Sequence, residues 1–245
     1  MSELFRGIEQ FDVKLQEAKV KVPIFYYDVS AFVNMFLASS KKIRKYVKDK
    51  RIKIAELFPG ITLLGITCFE YRKTDIGPYN EIGITVPFGD RASLKDILSS
   101  LVSGKFEVHV WHLPVTTEIA YIAGVKIYNY PKFVSEIKYS DKNFSLALNG
   151  KRILEVVETD GKMKIHFGRK KFHFITYQIK DDSLIKASVD AVGEGVSVSF
   201  LSTKVFPDPT TQIGKELEDV IIHKTSVFSM KIPYMNSILY LPTKA

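Results

Sequence analysis

Along most of the chain, short runs of β-branched, aromatic and aliphatic residues alternate with turns, and only a few stretches carry a helical spacing. Leu4, Phe5, Ile8 and Phe11 predict a short helix within Ser2–Lys19. An extended segment, Ile24–Leu37, follows. Ser39 and Ser40 stand at N-cap positions ahead of a predicted helix over Lys41–Lys50, where Ile43, Tyr46 and Val47 form one apolar stripe. Ile61–Tyr71 and Glu81–Phe88 read as strands joined by the polar turn Lys73–Pro78. The charged segment Asp90–Leu101 suits a short helix capped by Ser93. In Phe106–Leu113, Phe106, Val108, Val110 and His112 alternate with Glu107, His109 and Trp111, so neither face is clearly polar, as in a strand buried on both sides.

From Phe133 to Leu201 the pattern is a meander. Asn149-Gly150 and Asp160-Gly161 are favoured hairpin pairs, and Asp181-Asp182 and Gly193-Glu194-Gly195 mark two further corners. Ile213–Ile222 has helical spacing at Ile213, Leu217, Val220 and Ile221, and Ser226–Leu241 closes the chain as one or two extended segments. Many consecutive strands with few helices predict a β-rich α+β fold, a closed or nearly closed antiparallel barrel that leaves few free edges. With no repeat and no Pro/Gly/Ser linker, residues 1–245 are expected to form a single domain.

Composition narrows the function classes. The net charge is +8, but the 35 Lys and Arg residues are spread along the chain. The one dense group is Lys41, Lys42, Arg44, Lys45, Lys48, Lys50, Arg51 and Lys53, which suits a solvated face better than a phosphate-binding stripe, so no nucleic-acid partner is expected. The lone Cys68 excludes an intramolecular disulfide, and the odd separation of His109 and His112 puts them on opposite faces of a strand, which argues against a shared metal. No signal-peptide pattern and no apolar run of bilayer length are present, making cytoplasmic residence without a membrane partner the default. His166 and His173, with Arg169, Lys170 and Lys171, read as a solvated basic hairpin tip.

The stretch TEIAYIAGVKIYNYPK ends in Tyr130-Pro131-Lys132-Phe133, a lysine fixed behind a proline among apolar residues. Proline sets its own φ and biases Tyr130 to an extended conformation, so Lys132 projects from a defined backbone. Taken alone, such a lysine reads as a surface residue. This stretch, with Tyr79–Phe88 (YNEIGITVPF), resembles the acetoacetate decarboxylase family. The resemblance implies a cone-shaped β-barrel around a pocket with a few helices outside, a homo-oligomer, no cofactor, and a lysine that forms a Schiff base with a small keto acid. Lys132 falls on that lysine. Glu81 falls on the family's active-site glutamate, although an exposed charge at a strand start is an equal reading. Tyr79, Glu118, Tyr130, Phe133 and His112 are then expected to bind substrate, while Glu118 also reads as a carboxylate favoured by a helix N-terminus. Gly124 matches a family glycine where a helix or backbone crosses closely.

The sequence departs from the family at several points. Phe133 replaces a second lysine, so desolvation rather than a cationic neighbour would have to activate Lys132. An expected arginine falls at Val29, and a pocket glutamate falls near Gly65 or Ile66. The function expected is a cofactor-independent Schiff-base lyase that decarboxylates a β-keto acid such as acetoacetate. Aldolase or dehydratase chemistry on the same iminium, or a non-catalytic small-molecule-binding barrel, stands as the alternative.

Overall fold

The computed structural model describes residues 3–15, 18–90, 93–140, 142–161 and 163–245. Where a first helix is expected there is only a 3-10 turn at Glu3–Phe5, followed by a hairpin of β1 (Phe11–Lys14) and β2 (Lys19–Val22). Gly7, at φ 75°, ends the helical path. Lys19 and Lys21 then alternate with buried Val20 and Val22, so the period of two prevails; Ser2, Gln16 and Glu17 lie outside the described residues. The chain continues through β3 (Ile24–Ser39), α1 (Ser40–Ile43), β4 (Ile61–Thr74), β5 (Tyr79–Pro87), α2 (Leu94–Ser103), β6 (Lys105–His112) and α3 (Glu118–Tyr128). The small strands β7 (Glu136–Tyr139), β8 (Asn143–Leu148) and β9 (Lys151–Glu158) come next. After them are β10 (Met163–Lys180), β11 (Ser183–Phe200), β12 (Thr203–Pro207), α4 (Gln212–Val220), β13 (Phe228–Leu239) and β14 (Thr243–Lys244).

Seven strands in the order β10-β6-β5-β4-β3-β13-β11 close into a barrel through β10–β11 pairing. One joint departs from the antiparallel expectation. β6 and β10 run parallel, because the chain leaves the barrel after β6, builds α3 and a second sheet, and re-enters with Phe174 beside Phe106. The second sheet, β12-β9-β8-β7, covers part of the barrel's outer face.

The hairpin signals divide accordingly. Asn149-Gly150 (φ 52° and 73°) and Asp181-Asp182 (φ 47° and 56°) turn β8 into β9 and β10 into β11. Asp160-Gly161 instead passes the chain from the small sheet to the barrel. Gly193-Glu194-Gly195 lies inside β11, near register shifts in its pairing with β10, as a bulge and not a corner. The basic residues Arg169–Lys171 likewise sit within β10 and form no tip. α1 starts as predicted, with Ser39 Oγ accepting from the Lys42 amide, but it spans only Ser40–Ile43. Of the surrounding basic group, Lys42 and Lys45 pair with Asp219, Arg51 with Asp49 and Asp182, and Lys53 with Asp90. No described helix is long and apolar enough to cross a membrane.

Alternation along β3, β4 and β5 builds two separate cores. Leu64, Ile66, Cys68, Ile82, Ile84 and Val86 point outward and pack, with Phe32 and Phe36, against Phe144, Leu146, Leu154 and Val156 of the small sheet and Leu217 of α4. The opposite parity, including Ala31, Thr67, Phe69, Tyr71, Glu81, Gly83 and Thr85, points into the barrel.

Candidate active site

Burial of an ion pair needs a rigid frame, and three adjacent segments provide one. β5 carries Glu81, which bridges to Val115, which in turn bridges to Val134 just beyond Lys132. The amides of Leu113 and Val115 donate to Pro131 O and Phe133 O at 3.1 and 3.0 Å, holding Tyr130-Pro131-Lys132 against the end of β6. α3 ends at Asn129 in the left-handed conformation (φ 53°), and the Tyr130 amide returns to Gly124 O at 3.1 Å. The Lys132 side chain then runs across α3 at Gly124. A Cβ there would overlap Cδ and Cε of the lysine, so the glycine is the groove in which the lysine lies, not a point of backbone crossing.

Lys132 Nζ donates to Glu81 Oε2 at 2.6 Å, and the two side chains are only 6% and 8% exposed. Tyr71 donates its hydroxyl to Oε1 at 3.2 Å, so both carboxylate oxygens are engaged. Nζ also lies 5.6 Å from the Tyr79 ring centroid. Tyr79 stacks on Tyr71 at 4.4 Å, and Tyr71 tilts against Tyr26 at 4.8 Å. Burial first, and the Glu81 carboxylate second, push the hydroxyls of Tyr26 and Tyr71 far above their ordinary 10.0. Burial likewise raises Tyr79 and Tyr130. These phenols therefore stay protonated, and Tyr71 is the one that donates to the carboxylate. Tyr130 shares a 2.6 Å hydrogen bond with Thr176 Oγ1.

The pair closes one end of a cavity of about 470 Å³. Its walls are apolar, including Ala31, Val33, Leu113, Met230, Ile232 and Met235. Its other charged lining residues are Asp96, Lys105 and Glu107, all exposed, beside α2 at the far end. Lys132 is thus the only described cation at the inner end. The family positions missing from the sequence are also empty of charge in space. Val29 is buried in the barrel core, Gly65 faces Thr85, and Ile66 lies in the outer core.

Of the expected residues, Lys132, Glu81 and Tyr130 line the cavity, and Tyr79 supports them from behind Tyr71. Three do not meet there. Glu118 is exposed at the start of α3, Phe133 is not among the residues lining the cavity, and His112 turns outward to pair with Glu216 of α4 at 2.9 Å. Parity explains His112, which follows the inward Val110 but lies past the register shift between β5 and β6. Tyr26, Tyr71 and Thr176 were missed. The turn at Lys73–Pro78 pairs Phe69 with Glu81 and Tyr71 with Tyr79, so hairpin register alone would have put Tyr71 on the face of Glu81. Among the described residues, no group of three or more His, Cys, Asp or Glu converges to hold a metal.

No protein-family model and no curated protein matches the chain in sequence. Solved structures do match in shape. An acetoacetate decarboxylase superposes with a TM-score of 0.63 at 14% identity, covering 91% of this chain and 89% of its own. The acetoacetate decarboxylase of Legionella pneumophila gives 0.64 at 11%, covering 91% and 87%. The enduracididine biosynthesis enzyme MppR, in complex with pyruvate, gives 0.56 at 10%, covering 89% of each chain. The seven-stranded barrel described above therefore has the acetoacetate decarboxylase-like fold.

Proposed function

We propose that the protein is a Schiff-base lyase that decarboxylates a β-keto acid through Lys132. The observation that carries this is the buried contact of Lys132 Nζ with Glu81 Oε2 at the closed end of an apolar cavity. An ion pair removed from water costs stability unless both partners are well bonded, and such a pair inside an otherwise apolar space is a hallmark of chemistry.

Transfer of one proton along the 2.6 Å bond leaves a neutral amine beside a carboxylic acid. The amine adds to the ketone, and the Glu81 proton leaves with the hydroxyl as water, giving an iminium opposite the restored carboxylate. The iminium accepts the electron pair of the bond to the carboxylate, so carbon dioxide departs and an enamine remains. Protonation of the enamine carbon and hydrolysis return the ketone and the free lysine. Tyr71 holds Glu81 in place during both proton transfers.

A second reading uses the same iminium for aldol addition or dehydration. It is favoured by the absence of a second described cation to receive a substrate carboxylate at the inner end. MppR has also been captured with the condensation product of pyruvate and imidazole 4-carboxaldehyde.

NMR separates the two. Incubation with 3-oxo acids should release carbon dioxide and ketone faster than the spontaneous reaction, and Lys132→Ala should return the rate to background. New carbon–carbon bonds from pyruvate plus an aldehyde, with no accelerated decarboxylation, would favour the second reading. Neither reaction, with ligand binding intact, would leave a binding barrel.

A further inference from the structure

The space around Lys132 is built for more than a four-carbon acid. At roughly 30 Å³ per water-sized atom, the cavity of about 470 Å³ holds about fifteen such atoms, and acetoacetate has seven non-hydrogen atoms. The excess runs along one line. From Glu81 the inward positions of β5 are Gly83, Thr85 and Pro87, and Asp96, Ile97 and Ser100 of α2 line the far end. At roughly 3.3 Å per residue, Glu81 to Pro87 spans about 20 Å. The facing walls on β3 and β13 offer Val33, Met35, Phe228 and Met230.

The wall beside the pair is also kept open. A Cβ on Gly83 would meet no heavy atom closer than 3.6 Å, and its φ lies outside the left-handed region, so glycine there is required neither by strain nor by packing. By contrast, a Cβ on Gly65 would press on Thr85 Oγ1 at 2.6 Å. Gly83 leaves the passage from Lys132 into the apolar chamber unobstructed.

We infer that the substrate is a carbonyl compound with an extended apolar chain, a 3-oxo acid several methylenes longer than acetoacetate, whose tail passes Gly83 and lies toward α2. This rests on the Schiff-base reading of Lys132. A hydrophobic tail matches the apolar walls that lie between the ion pair and the charged rim of Asp96, Lys105 and Glu107 at α2.

Reductive trapping with cyanoborohydride across acetone, 2-pentanone and 2-heptanone tests it, with the rate of mass gain at Lys132 as readout. Each buried methylene is worth about fourfold in affinity, so half-saturation should fall at least about tenfold from acetone to 2-heptanone. Gly83→Leu, with Gly83→Ala as a milder change, should flatten the series. Thermal-shift titration with 2-propanol and 2-heptanol, which cannot form an iminium, reads tail binding separately and should favour 2-heptanol. Labelling independent of chain length, or a series unaltered in both Gly83 variants, would overturn the tail assignment. No labelling by any ketone would overturn the Schiff-base reading, and equal shifts by the two alcohols would overturn the tail assignment without involving the amine.

Discussion

The two faces of β3, β4 and β5 are made from the same strands yet do opposite work. Outward, Leu64, Ile66, Cys68, Ile82, Ile84 and Val86 form an unbroken apolar surface sealed by the small sheet. Inward, the alternate positions of β4 and β5 hold Gly65, Thr67, Phe69 and Tyr71, and Glu81, Gly83 and Thr85. The outer face is filled for stability, while the inner face surrounds space and one ion pair. Chemistry is marked less by hydrophobicity than by where small and polar residues recur with a period of two.

The largest test of this contrast targets the pair. Lys132→Met should cost about 3–5 kcal/mol in urea unfolding by leaving Glu81 buried without its cation, and adding Glu81→Gln should restore most of it. If the single change were neutral, Glu81 would not be held as a buried partner. Next, Ile66→Ala on the outer face should cost about 2–5 kcal/mol. Val33→Ala, which widens an existing chamber, should cost about 1 kcal/mol or less. Equal losses would mean that the inner face is packed like the outer one.

Gly124→Ala reaches the same pair through the groove. Helix propensity favours alanine by about 1 kcal/mol, but the new methyl displaces Lys132 from Glu81, so the melting temperature should fall and labelling of Lys132 by ketones should be suppressed. Tyr71→Phe removes one donor to Glu81 and should cost about 1 kcal/mol, with a few-fold slower turnover of any keto acid accepted.

The smallest effect lies outside the barrel. Burial opposes ionisation of Glu216, but hydrogen bonds from His112 and Gln212 outweigh it and hold the carboxyl below its ordinary 4.5. A carboxyl lowered in the folded state adds stability that is complete above pH 4.5 and is lost as pH falls through the folded value. Gln212→Ala should therefore cost a little stability at neutral pH, and the difference should shrink as pH falls below 4.5 through the folded value.

Much of the barrel was legible in the sequence because long β-branched strands, the Asn149-Gly150 turn and the Ser93 cap are decided locally. The N-terminal helix was not, since Gly7 and the Lys19–Val22 alternation outweigh an apolar spacing also compatible with a helix. The parallel β6–β10 joint is invisible to local patterns because it depends on how the intervening segment returns. At the site, motif resemblance singled out Lys132 and Glu81, which lie together on the cavity, whereas Glu118, Phe133 and His112 lie outside its lining, because sequence proximity to Lys132 or β6 does not fix which way a side chain faces. Tyr71 was recoverable from hairpin register alone.

The central claim is that Lys132, buried against Glu81, is a nucleophile toward ketones. Incubation with acetoacetate, reduction with sodium borohydride and peptide mapping test it most directly. The account predicts a single adduct at Lys132, absent from Lys132→Ala. Adducts scattered over the exposed lysines with Lys132 unmodified would contradict it.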